Sequence, residues 1–258
     1  MEQTVVRIRT LEIGSGMPKI CVPVVGKTEK EILEGAERAK AAKPDLVEFR
    51  VDWYEEAADS KKVVALLEKL RKCLGELPVL FTFRSSREGG EAALSDDAYQ
   101  SLNEAAIASG FVDCVDVELF SGDAVVKAVV AAAHSNHVKV IASNHDFEKT
   151  PAAEELLARL QKMEALGADI PKIAVMPQSS KDVLTLLTVT ESWRETGKTP
   201  VITMSMAGEG LISRLCGEIF GSAVTFGAAG KSSAPGQIDA EELRRILEII
   251  HPVSYTHL

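Results

Sequence analysis

DLVEFRVDW, residues 45–53, alternates strictly: Val47, Phe49 and Val51 fall on one face of an extended chain, and Glu48, Arg50 and Asp52 fall on the other. A single strand with one apolar and one charged face is usually part of a sheet that wets one side. Its neighbours change that reading. Seven more strand-like runs punctuate the chain, namely KICVPVV (19–25), PVLFTFR (78–84), FVDCVDVEL (111–119), VKVIASN (138–144), IPKIAVM (170–176), PVITMSM (200–206) and SAVTFG (222–227). Between them lie helix-length stretches with apolar residues three and four apart, such as Ile32, Ala36 and Ala39, or Val63, Leu66, Leu67 and Leu70.

Strands alternating with helices need crossover connections and so a parallel sheet, and eight such units in 258 residues fit a closed (β/α)8 TIM barrel, an α/β fold. The structural rival is an open doubly wound sheet. The turn after the first strand, VVGKTEKE, lacks the GxGxxG fingerprint of the dinucleotide-binding version of that fold. Thr28 and Glu31 read as a capping box, and Pro151 as a first-turn proline. VVRIRTLEIGSG (5–16) reads as an N-terminal hairpin or cap. No composition break divides the chain, so residues 1–250 are expected to form one barrel domain. The aperiodic HPVSYTHL, 251–258, is expected to be a disordered or non-native tail.

Both faces of a parallel sheet are covered, so the apolar parity packs under the helices and the charged parity points into the barrel. Val79, Phe81 and Phe83 oppose Thr82 and Arg84, and Val115, Val117 and Leu119 oppose Cys114, Asp116 and Glu118. Buried charge is costly unless paired or functional. A polar interior open at the C-terminal ends of the strands is therefore the expected site.

Composition bounds the ligand. Lys and Arg number 29 against 38 Asp and Glu, a formal net charge of -9, which argues against a nucleic-acid partner. No run approaches the roughly 20 apolar residues of a membrane span, and MEQTVVRIRT lacks a signal-peptide core. The expectation is a soluble, cytoplasmic protein with no membrane partner. Cys21, Cys73, Cys114 and Cys216 have no metal-ligand spacing and read as reduced, mostly buried thiols. Arg50, Arg84, Arg214 and Lys172 would still make the interior locally cationic.

Two residues make the site chemical. Lys172 shares its parity with Ile170, Ala174 and Met176, and an amine among apolar neighbours loses its proton more readily and attacks a ketone or aldehyde to form a Schiff base. The alternative is a structural ion pair with Asp116 or Glu118, and spacing leaves both readings standing. His145 ends the strand before it in chain order, at the barrel end where catalytic groups sit, and imidazole moves protons near neutral pH. GAAGKSSAPGQ (227–237) is no phosphate loop, because Thr225 stands where that motif needs glycine. It reads as a small-residue lid offering Ser233 and Gln237 to a ligand.

These segments resemble the type I 3-dehydroquinate dehydratases. The likeness is carried by EFRVDW (48–53), FTFRSSREGGE (81–91), SNHDFEKTP (143–151), DIPKIAVMPQS (169–179), ITMSMAGEGLISRLCGEIFGSAVTFG (202–227) and SAPGQ (233–237), in order from about Pro18 to Ile238. The resemblance implies a hydro-lyase of the shikimate pathway, serving chorismate and aromatic amino acid biosynthesis, with no cofactor or metal, a small-molecule substrate and a homodimeric assembly. It implies that Lys172 forms an imine with the C3 ketone of 3-dehydroquinate. His145 would take a C2 proton and assist loss of the C1 hydroxyl, giving 3-dehydroshikimate, while Glu88 orients the histidine. Arg214 would pair with the substrate carboxylate, Glu48, Arg50 and Arg84 would hold the ring hydroxyls, and Ser233 and Gln237 would close from the lid. Arg87 reads as a solvated neighbour. Pro23 stands where some members carry a serine, which removes one side-chain contact from the first strand.

Two other functions compete with this one. A class I Schiff-base aldolase also uses a barrel lysine, but it usually takes phosphorylated sugars and a phosphate loop is missing. A non-catalytic barrel binding a quinate-like acid would have no need of both Lys172 and His145.

Overall fold

The computed structural model describes residues 3–230 and 237–251. Two short strands, β1 (Val6–Ile8) and β2 (Leu11–Ile13), pair antiparallel with Val6 opposite Ile13. Eight parallel strands follow, namely β3 (Lys19–Val24), β4 (Leu46–Arg50), β5 (Val79–Thr82), β6 (Cys114–Glu118), β7 (Lys139–Asp146), β8 (Ile170–Val175), β9 (Ile202–Ser205) and β10 (Val224–Phe226). Each runs beside the next in sequence, and β10 pairs with β3. A parallel bridge between Val201 and Ser222, with the Ala223 amide donating to the Val201 carbonyl at 2.8 Å, joins β9 to β10 and closes the barrel.

Helices α1 (Glu29–Ala41), α2 (Ser60–Leu74), α3 (Asp96–Ala108), α4 (Asp123–Ser135), α5 (Ala153–Ala165), α6 (Ser180–Thr196), the short α7 (Leu211–Leu215) and α8 (Gly217–Phe220), and α9 (Ala240–Ile250) fill the crossovers and the C-terminal end. Local chemistry sets their ends. Asp59 accepts from the amides of Lys61 and Lys62 at the start of α2, and Gly75, at φ +63°, ends it. At α1, Thr28 Oγ1 accepts from the Glu31 amide at 3.3 Å, but the Glu31 carboxylate accepts from Lys27 rather than from the cap residue itself. The capping box expected there is therefore displaced by one residue. Pro151 also sits earlier than expected, ahead of the cap residue Ala152 instead of inside the first turn of α5.

The apolar parity behaves as the sequence predicts. Val47, Phe49, Val51, Val79, Phe81, Phe83, Val115 and Val117 are buried with Ile32, Leu66, Leu67 and Leu70 of the helices in one large core. The inner parity is layered along the axis. Leu46, Leu80, Cys114, Ile141, Ile170 and Ile202 form an apolar floor, against which Val6, Ile8 and Ile13 of the hairpin close the N-terminal end. Two residues further along the same strands, Glu48, Thr82, Asp116, Ser143 and Lys172 form a polar layer, all buried, and above it come Arg50, Arg84, Glu118 and His145. The inner charge thus belongs to the C-terminal half of the barrel alone.

Candidate active site

The layering leaves a cavity at the C-terminal end of the strands, lined by Glu48, Arg50, Arg84, Glu88, Gly89, His145, Phe147, Lys172, Ala174, Met204, Met206, Arg214, Phe226 and Gln237. Lys172 lies at the polar layer on β8. Its Nζ stands 3.4 Å from Asp116 Oδ2, 4.0 Å from Glu48 Oε1 and 4.8 Å from the centre of the Phe226 ring. The amine is therefore both ion-paired and part of the cavity wall. Its closest carboxylate is Asp116, one of the two partners the sequence offers, and the next is Glu48 instead of the other, Glu118.

Glu118 is committed to another cation. Arg84, buried at the end of β5, donates to Asp116 at 2.8 Å, to Glu118 at 3.0 Å and to Ser143 at 2.9 Å, and Ser143 donates in turn to Asp116 at 2.6 Å. Burial alone would raise the pKa of Asp116, but Arg84 and Lys172 outweigh it and hold the carboxyl below its usual range. Arg50 makes a two-pronged pair with Asp52 at 2.8 Å on both arms. The same carboxylate accepts from the Arg84 amide at 3.3 Å and the Glu91 amide at 3.1 Å, tying the loop after β5 to β4.

That loop carries Glu88 in a single 3-10 turn, Ser86–Glu88, ended by Gly89 at φ +80°. Gly90 follows because nothing larger fits: a Cβ there would lie 1.8 Å from the Arg84 carbonyl oxygen. Glu88 Oε2 accepts from His145 Nδ1 at 3.0 Å and from the His145 amide at 2.9 Å, while Asn144 Nδ2 donates to Oε1 at 3.2 Å. With Nδ1 engaged, chemistry on the cavity side falls to Nε2 of His145. Burial pushes Glu88 up to about 7 against the pull of Arg84, and Glu118 adds to the rise. Burial, with Arg84, Lys172 and Arg50 nearby, lowers His145 well below the ordinary imidazole value. The pair is therefore a neutral imidazole beside a carboxyl poised near neutrality.

The charges are more evenly matched than the sequence suggests. Lys172, Arg50, Arg84 and Arg214 are buried with Glu48, Asp52, Glu88, Asp116 and Glu118, so the expected cationic interior is close to balanced. Arg214, on α7, donates to the Met204 sulfur at 3.6 Å, and burial brings it down to about 10. Gln237 lines the cavity, Ser233 lies outside the described residues, and Arg87 is exposed and pairs with Asp96. Pro23 is buried in register with Glu48. The described residues hold no group of three or more His, Cys, Asp or Glu suited to a metal ion, and no described helix is long and apolar enough to cross a membrane.

Met204, Met206, Phe147 and Phe226 line the cavity although sequence reasoning did not single them out. Met204 and Met206 were findable, since they share the inward parity of PVITMSM. Asp52 was visible on the charged face, but its role as a clamp on Arg50 needs the fold.

The family model for type I 3-dehydroquinase matches residues 20–254. The 3-dehydroquinate dehydratase of Listeria innocua is 57% identical over 244 residues, covering 95% of this chain and 97% of that one. That of Clostridioides difficile is 53% identical over 247 residues, with 95% and 97% covered. A crystal structure of type I 3-dehydroquinate dehydratase from Clostridium difficile, with covalent modified comenic acid, superposes with a TM-score of 0.94 at 52% identity, covering 96% of this chain and 98% of that one. The Geobacillus kaustophilus 3-dehydroquinate dehydratase gives 0.94 at 42% identity, with 98% of each chain covered.

Proposed function

The chain belongs to the type I 3-dehydroquinase family, and from that premise we propose that it dehydrates 3-dehydroquinate to 3-dehydroshikimate through a Schiff base on Lys172, as a step of the shikimate pathway. The observation that carries the reading is the pairing of a cavity-wall amine on β8 with an imidazole on β7: Ser143 is in register with Lys172, and His145 stands one layer above on the same face.

Lys172 reacts as the free amine. Asp116, 3.4 Å from Nζ, accepts a hydrogen bond from it and fixes its position in the cavity wall. The amine adds to the C3 ketone, and loss of water from the carbinolamine leaves an iminium. That group draws electron density from the adjacent carbon and acidifies the C2 hydrogen with no metal needed. His145 Nε2 accepts this proton, giving an enamine and an imidazolium that Glu88 stabilises through Nδ1. The enamine then expels the C1 hydroxyl, which takes the proton from His145 and leaves as water. Hydrolysis of the remaining iminium returns Lys172 and releases the conjugated ketone.

Substrate recognition follows from the other side chains. Arg214 offers a guanidinium fork to the carboxylate, and an anion beside it would offset the burial that lowers it to about 10. Arg50, Arg84 and Glu48 present charged hydrogen-bonding groups to the ring hydroxyls, with Gln237 joining them at the cavity wall. Met204, Met206 and Phe226 suit the apolar edge of a cyclohexane ring. We place the enzyme in the cytoplasm as a homodimer, following the resemblance.

The test is direct. Absorbance of the conjugated product should rise when protein meets 3-dehydroquinate and should stay flat with Lys172→Ala. No rise with the unaltered protein would refute the reading. Turnover of a sugar phosphate in place of dehydroquinate would favour an aldolase.

A further inference from the structure

We propose that Arg159, on α5 and not among the residues lining the Lys172 cavity, is a positioning residue that fixes the polarity of the Asn144 amide and so aims an N–H at Glu88. Asn144 is buried beside His145, but its parity on β7 is opposite, so it faces the helical layer. Its Oδ1 accepts from the Arg159 guanidinium and its Nδ2 donates to Glu88 Oε1. An amide can present either end, and only its partners decide which. Arginine has donors and no acceptor, so Arg159 can take only the oxygen. The amide nitrogen is thereby turned toward the carboxylate.

Arg159 is itself held from two sides. Glu155, one turn earlier on α5, accepts from its other arm, and the Phe120 ring lies 5.2 Å from the guanidinium carbon. The chain of contacts runs Glu155, Arg159, Asn144, Glu88, His145 and ends on the imidazole. Glu88 is also faced by Arg84 at 3.6 Å from the β5 end, by Asp116 and Glu118 of β6 and by His145 of β7, with Lys172 of β8 acting on the imidazole. Of these, the two β6 carboxylates push its proton on, while Arg84 and the Asn144 N–H favour the ionised form. Without Arg159 the amide can turn its oxygen to Glu88, replacing a donor by an acceptor that a protonated carboxyl satisfies. Arg159 would then set the ionisation of Glu88 without touching substrate.

The effect on turnover rests on the dehydratase reading, whereas the effect on Glu88 does not. The experiment is a ¹³C-carboxyl NMR titration of Glu88 in the substrate-free protein, assigned with Glu88→Gln, in parallel with the pH profile of kcat/KM. Arg159→Met should move the Glu88 midpoint up by about one pH unit, a tenfold change in the proton equilibrium, and carry the acid limb of kcat/KM with it. Arg159→Lys keeps a donor and should stay near the unaltered midpoint. Should Arg159→Met fail to fold, Asn144→Asp keeps an acceptor for Arg159 but loses the N–H, and it should shift Glu88 in the same direction. An unchanged Glu88 midpoint in Arg159→Met, or in Asn144→Asp if that variant carries the test, would overturn the role. Absence of turnover in the unaltered protein would instead count against the dehydratase reading, and the titration would still decide on Arg159.

Discussion

One carboxylate oxygen of Glu88 holds both the ring and the main chain of His145: Oε2 accepts from Nδ1 at 3.0 Å and from the backbone amide at 2.9 Å. The imidazole is thus oriented by a group on a different strand-end loop, and its rotation and tautomer are set together. Above a pH of about 7 the carboxyl is ionised and the imidazole neutral, the state in which Nε2 can accept a proton.

Glu88→Gln should therefore lower kcat by about 10- to 100-fold. It should also remove an acid limb near pH 7 from the kcat/KM profile. A full pH profile of both proteins checks this, and a limb that persists in the variant assigns it to another group.

The same carboxyl should leave a mark on stability. Its folded pKa, about 7, exceeds the ordinary value of 4.5, so the folded state holds this proton more tightly than the unfolded chain. That contribution is fully present below 4.5 and is lost as the pH rises through 7. Glu88→Gln cannot ionise and should gain on the parent protein by up to about 3 kcal/mol on going from pH 4.5 to pH 8.5. Urea titrations at the two pH values measure the difference. An equal effect at both would contradict the assignment.

Asp52→Asn should act on binding. Asp52 fixes Arg50 by two bonds of 2.8 Å, and a neutral amide can keep at most one. Charged hydrogen bonds of this kind contribute about 1.5–3 kcal/mol, so KM should rise about tenfold with kcat little changed. A fall in kcat at constant KM would show that Asp52 acts through the loop it ties down and not through Arg50.

Two glycines should respond differently to alanine. At Gly90 the new Cβ would meet the Arg84 carbonyl at 1.8 Å, backbone that cannot yield, so the loop must shift and take Glu88 with it. We expect kcat to fall about a hundredfold in a folded protein, in line with small misplacements of catalytic groups. At Gly75, φ is +63° and no atom lies within 4 Å of the new Cβ. Its cost should be about 1 kcal/mol of stability with kcat untouched. Thermal melts and steady-state rates on both variants check the contrast.

Much of the architecture was legible because strand parity is a strong signal. The alternation in residues 45–53 separates the helix-facing core from the barrel interior, whereas Lys172 stands out as the one charge in an apolar strand and His145 by its place at the C-terminal end of another. Parity alone does not give height along the barrel axis. Leu80 and Thr82 share a face, yet one lies in the apolar floor and the other in the polar layer. Ion-pair partners depend on that height, which is why the sequence offers Glu118 to Lys172 as readily as Asp116. Glu88 and Glu91 are three residues apart in one loop, and only the turn around Gly89 and Gly90 decides which carboxylate reaches the imidazole. Asn144 and Arg159 carry no such signal, because they approach Glu88 from the helical side and not along the inner face.

The central claim is that Lys172 forms the covalent intermediate, and borohydride reduction in the presence of 3-dehydroquinate, followed by peptide mass spectrometry, tests it most directly. The account predicts a ligand-sized mass on the peptide carrying Lys172, retained in His145→Ala and lost in Lys172→Ala. An unmodified Lys172, or an adduct on another lysine, would contradict it.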